Sequence, residues 1–154
     1  MNGAYGDAAL TVAVGAISNR QQRAMRYGLQ ALYEGIKVIK AGVPISAIGS
    51  AIENYCRTNG YTVIREFGGH HIGVKAMHED PLIPHVYYKE DENKFLKEGD
   101  VICLEPMISP GNGKMAMAKE DGWTAFCPDK QVVVMYEHMI YVGKEKGEIL
   151  TNHI

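Results

Sequence analysis

Apolar residues change their spacing about a third of the way along the chain. Residues 10–14, LTVAV, are an unbroken apolar run, partly β-branched and closed by Gly15, which predicts a short buried strand. Ser18 then predicts a helix N-cap. Beyond it Met25, Leu29, Leu32, Ile36 and Ile39 recur at helical spacing, with Arg20, Arg23 and Arg26 among the polar positions. The pattern predicts a helix over residues 19–40, ended by Gly42 and Pro44. A second helix is predicted over 46–60, with Ile48, Ala51, Ile52 and Tyr55 as its apolar face. After Gly60 the period shortens. YTVIRE (61–66) predicts a strand that runs into a glycine- and histidine-rich loop over 68–73. Pro81, Pro84 and the acidic KEDEN predict irregular surface chain over 80–100. VICLEPM (101–107) and QVVVMYEHMIYV (131–142) predict strands, and residues 148–151 pair back after Gly147. No repeat or linker interrupts the series, so residues 1–154 are expected to form a single domain. One strand, two helices and then several strands predict an α+β layer arrangement.

Composition narrows the partners. The chain has 154 residues, 46% hydrophobic and 22% charged, which is globular composition. Sixteen basic against 18 acidic side chains leave a net charge of −2, which excludes a dominant basic nucleic-acid footprint. No apolar run approaches the ~18–20 residues of a membrane span, so no membrane partner is expected. MNGAYGDAAL has neither early positive charge nor an apolar core, so no signal peptide is read. Cys56, Cys103 and Cys127 are an odd set without CxxC spacing. They are expected to be small buried hydrophobes of a reducing compartment, the cytosol.

The candidate chemistry lies in polar residues set inside apolar strands. Glu105 ends one strand, and Glu137 and His138 interrupt another. A carboxylate buried in a strand is costly unless it is paired or binds a metal. His70, His71 and His78 fall within nine residues. Together with two strand glutamates they suggest a carboxylate-rich site for Mn, Fe, Co or Zn in a hydrolytic role. Asp7 alone reads as a turn aspartate.

Five segments carry a resemblance: REFGGHHIGVKAMHEDP (65–81), LKEGDVICLEPM (96–107), DGWT (121–124), YEHMIYV (136–142) and EILT (148–151). Together the chain resembles the type I methionine aminopeptidases of the pita-bread metallopeptidase family, truncated at the N-terminus. The resemblance implies an α+β pita-bread fold that lacks the family's N-terminal strands and helix. It also implies two divalent metals held by two Asp, one His and two Glu. Asp7, His70, Glu105 and Glu137 match four of these five ligands, Asp7 and Glu137 being the bridging ones. Spacing from Arg65 selects His70 as the imidazole ligand and spacing from His78 selects His71; His70 is taken. His78 would contact the scissile amide, Glu105 would relay the proton as general base, and Trp123 would flank the cleft.

The family's first ligand aspartate has no counterpart, because only six residues precede Asp7. One metal site is therefore expected to be nearly complete and the other weakened, with activity of this chain alone low or absent. The implied substrate is the N-terminal Met of nascent polypeptides. The run 10–14 would be an exposed edge strand prone to self-association. Two other functions compete: a non-catalytic relative acting as a binding module, and an Xaa-Pro aminopeptidase, against which Met107 and Trp123 weigh.

Overall fold

A computed structural model describes residues 3–152. Helix α1 (Asn19–Ile36) begins where Ser18 closes a capping box: Gln21 N–H donates to the Ser18 hydroxyl, and Ser18 N–H donates back to the Gln21 side chain at 2.9 Å. α2 (Ile45–Thr58) starts directly after Pro44, one residue earlier than expected, with Ile45 N–H satisfied by Lys94 O at 2.8 Å. Ala24, Leu32 and Ile36 of α1 and Ile48 and Ile52 of α2 belong to one buried cluster. Ile102, Leu104, Ile140 and Val142 of the strands complete it. Fully burying each large aliphatic side chain contributes about 1.5–3 kcal/mol. α2 rests directly on backbone at Gly49, where a β-carbon would lie 2.1 Å from Val86 O.

The remaining elements are β1 (Thr62–Val63), β2 (Gly68–His71), β3 (Glu79–Pro84), β4 (Val101–Leu104), β5 (Met107–Ser109), β6 (Ala116–Met117), β7 (Ala125–Phe126), β8 (Val134–Met135), β9 (His138–Val142) and β10 (Gly147–Ile149). A five-stranded antiparallel sheet has the order β10-β9-β4-β2-β3. A second has the order β1-β5-β8, and β6 pairs with β7. The expected α+β class is observed.

Several elements differ from their sequence expectation. Residues 10–14 form no strand. Leu10, Val12 and Val14 are 53%, 62% and 89% exposed, and among the described residues the run continues no backbone ladder past the Ala9 bridge. An isolated bridge of Ala9 with Glu137 and the Thr11 hydroxyl, which donates to Met135 O, tether the segment. α1 stops at Ile36 rather than Lys40. Val38 and Ile39 bond three residues back, and Ala41 and Gly42 donate to Gly143 O and Leu96 O instead. The glycine-rich loop is strand β2: at Gly69 a β-carbon would sit 2.1 Å from Cys103 O, so only glycine lets β2 approach β4 this closely. The proline-rich stretch contains β3, at the edge of its sheet, where a missing N–H costs no ladder bond. Finally, the two long predicted strands each split between the two larger sheets, one at Glu105-Pro106 and the other at Tyr136-Glu137.

Candidate metal centre

The strand breaks position the site. In register, His70 of β2 faces Cys103 of β4, which faces Met139 of β9. Side chains alternate along a strand. Ile102 and Leu104 therefore enter the helix-facing core, while Cys103 lies on the opposite face. Glu105 follows β4 directly and Glu137 directly precedes β9, so each carboxylate emerges where a ladder ends. Asp7 arrives on the N-terminal segment. There Tyr5 N–H donates to Gly73 O at 3.1 Å, Asp7 N–H to Met139 Sδ at 3.1 Å, and Glu137 N–H to Ala9 O at 2.8 Å.

One donor atom each from Asp7, His70, Cys103 and Glu137 lies within 4.8 Å of all the others. His70 Nε2 is 3.9 Å from Asp7 Oδ2 and 3.5 Å from Glu105 Oε1. Glu105 thus approaches from one side, outside the mutually close foursome in which Cys103 stands. His70 Nδ1 is 3.0 Å from the carbonyl of His71, which holds its proton there and leaves the Nε2 lone pair for the cluster.

The electrostatics suit a cation. Among the described residues no Lys or Arg pairs with Asp7, Glu105 or Glu137. Glu137 is 4% exposed, and its Oε1 has no hydrogen-bond partner among the described residues. Burial and the Asp7 charge push Glu137 up to about 7. Burial, then Glu137 and Asp7, push Glu105 up to about 7. Burial and the Glu137 charge raise the Cys103 thiol far enough to keep it protonated, and it hydrogen-bonds the Glu137 carboxylate. A buried, orphaned carboxylate oxygen beside a fixed imidazole lone pair and two further carboxylates is a donor set that fits a divalent cation.

The other sequence-singled residues lie as follows. His78 is exposed, and its ring meets that of His70 edge-on at 4.3 Å between centroids. His71 turns away, with Nδ1 2.8 Å from Pro81 O and Nε2 3.4 Å from Asp100. His138 faces α1, 6.0 Å from the Tyr33 ring, with Nδ1 on the Thr151 hydroxyl. Trp123 stands 84% exposed on the turn between β6 and β7, its backbone N–H donating to Asp121 Oδ1. Among the described residues, no hydrogen bond or ring contact joins Trp123 to the cluster.

Two participants carry no such expectation from the sequence. Cys103 has the pattern of a plain buried hydrophobe. His85 lies in a proline-rich stretch that predicts irregular chain, yet it is 2% exposed and accepts at Nε2 from Gly69 N–H (3.1 Å) and Glu105 N–H (3.3 Å). Burial, aided by His70, lowers it to about 3, so it is neutral. A signal for it existed: a lone polar side chain in the apolar run LIPHV (82–86), the same signal that marked Glu137.

A model of metallopeptidase family M24 matches residues 1–144. The chain is 35% identical over 150 residues to the methionine aminopeptidase of Buchnera aphidicola subsp. Acyrthosiphon pisum, a match covering 97% of this chain and 56% of that protein. It superposes with a TM-score of 0.92 and 34% identity on the crystal structure of methionine aminopeptidase from Rickettsia prowazekii, covering 98% of this chain and 60% of that one. For the methionine aminopeptidase of Thermotoga maritima the TM-score is 0.88 at 34% identity, covering 97% and 59%. The chain therefore spans little more than half the length of the relatives it matches.

Proposed function

Because the chain belongs to metallopeptidase family M24 and carries its α+β pita-bread fold, we propose that it is the catalytic-type part of a methionyl aminopeptidase acting on the N-terminal Met of nascent polypeptides. Residues 1–154 are read as one such domain, working in the cytoplasm. The observation that carries the reading is the closure of Asp7, His70 and Glu137 within 4.8 Å of one another around an orphaned carboxylate oxygen.

Asp7, His70, Glu105 and Glu137 would hold one divalent cation, of the Co, Mn, Fe or Zn class. When bound, such a cation supplies Lewis acidity for an amide carbonyl and lowers the pKa of water. The chain's own residues do the rest. The Glu105 carboxylate, 3.5 Å from His70 Nε2 at the edge of the cluster, accepts a proton from the attacking water and returns it to the leaving amide nitrogen. His78, exposed beside His70, donates a hydrogen bond to the scissile amide and steadies the charge that develops on it. Trp123, exposed on the β6–β7 turn, would flank the entering peptide only by the family resemblance. Because the described donors form one cluster, we propose one tight cation per chain and a second, weak site.

Incubating the Co- or Mn-loaded chain with Met-Ala-Ser and with an Xaa-Pro peptide tests the reading. Met release, lost on chelation, is expected. Selective cleavage of the Xaa-Pro peptide moves the assignment to that branch, and a folded, metal-loaded chain inert to both favours a binding module. Two ions retained through gel filtration overturn the single-site proposal.

A further inference from the structure

We infer that His85 is a positioning residue of the metal centre, fixing through one ring nitrogen the two backbone segments that present His70 and Glu105. The inference rests on the metal-centre reading and deepens it.

Two amides leave their sheet ladders at the site. Gly69 sits where the register of β2 against β3 shifts, one residue before His70, and its own pairing is with β3 while the β4 pairing starts at His70. Glu105 lies one residue past the last β4–β9 pair, Leu104 with His138, and is followed by Pro106. Proline has no N–H to continue a ladder. At the point where both ligands must be aimed, sheet hydrogen bonding has therefore run out. His85, directly after β3 and 2% exposed, accepts both amides at Nε2, at 3.1 and 3.3 Å. Two N–H groups converging on one nitrogen require that nitrogen to be unprotonated. The ring thus acts as a neutral acceptor bridging β2 to the end of β4, and it is not itself among the donors of the cluster.

Partners one shell removed from a metal set ligand orientation, and their loss weakens metal binding about 10–100-fold. The test is Co(II) titration of wild type, His85→Leu and His85→Gln, read by calorimetry and by the visible d–d spectrum of the folded protein. Glutamine extends a carbonyl oxygen to the reach of Nε2 and can accept both amides. The expected result is Co(II) affinity about 10–100-fold weaker and an altered spectrum in His85→Leu, with both restored in His85→Gln. If His85→Leu does not fold, His85→Asn, whose shorter acceptor falls short of the amides, must show the same weakening. Lower melting temperatures with wild-type affinity and spectrum would make His85 merely structural and overturn the inference. Failure of the wild type itself to bind Co(II) would instead sink the metal-centre reading and the inference with it.

Discussion

The Glu137 side chain shows what the site costs the fold. It is buried, and one carboxylate oxygen has no partner among the described residues. Its ionisation moves from an ordinary 4.5 up to about 7. A raised carboxyl value means that the folded chain prefers the neutral form. Below pH about 4.5 both states hold the proton and no cost arises. Between 4.5 and about 7 the unfolded chain ionises first, so apo stability falls as pH rises and the loss is complete above about 7. Glu137→Gln is therefore expected to stabilise the metal-free chain at pH 7.5 by about 2 kcal/mol, roughly 5 °C in melting temperature, and to do nothing at pH 4. The same substitution should weaken metal binding, and thermal melts with and without Mn(II) read both effects. His78→Ala is expected to act differently: Met release falls by about 10²–10³-fold while calorimetric metal affinity is unchanged, because the exposed ring touches His70 only edge-on. Both glutamates were legible in the sequence because a carboxylate in an apolar run contradicts its surroundings. His85 broke the same rule in LIPHV and was hidden by two prolines, which suggested loop where an edge strand runs.

At the scale of elements, the helices were the readable part. Their 3.6-residue period, the Ser18 cap and Gly60 just beyond α2 are local signals that survive folding, whereas the Gly42 stop lies well past the observed end of α1 at Ile36. The strands were less legible because β-structure depends on what lies alongside. VICLEPM and QVVVMYEHMIYV look continuous, and nothing within them announces that each changes sheet. GGHH looks like a loop until the approach of β2 to the Cys103 carbonyl explains why side chains are missing there. Gly49 makes the same kind of contact from a helix. A β-carbon there would meet Val86 O at 2.1 Å, and backbone cannot swing aside as a side chain can. Gly49→Ala, helpful by helix propensity alone, is expected to cost about 1–3 kcal/mol in urea unfolding. Ser18→Ala removes one half of an exposed capping box and is expected to cost only about 1 kcal/mol. If Gly49→Ala proved neutral or stabilising, the close seating of α2 on the segment after β3 would be wrong.

For the whole molecule, the segment between Ala9 and α1 is where self-association is expected. It delivers Asp7 to the cluster, yet past the single bridge at Ala9 it lies along the molecule with Leu10, Val12 and Val14 turned to solvent. The sequence marked this run as buried because apolar, β-branched residues ask for burial. Burial needs a covering neighbour, and among the described residues only the Thr11 hydroxyl reaches across to β8 at Met135, while Leu10, Val12 and Val14 stay uncovered. An exposed apolar run beside the end of a sheet is open to pairing with another chain. The expected occupant in purified protein is a second copy, because the same run on another chain offers the complementary apolar face and an antiparallel partner. Sedimentation should then show a concentration-dependent dimer. Val12→Lys with Val14→Lys should shift it to monomer, since charge on an edge opposes pairing. Both side chains are more than half exposed, so the double substitution should leave the melting temperature of the monomer nearly unchanged. Metal affinity should also hold, because Asp7 is tied in separately through Met139 and the Ala9 bridge. A wild-type chain that sediments as a monomer at high micromolar concentration would mean that this edge is shielded in some other way, and the self-association expected of it would fall.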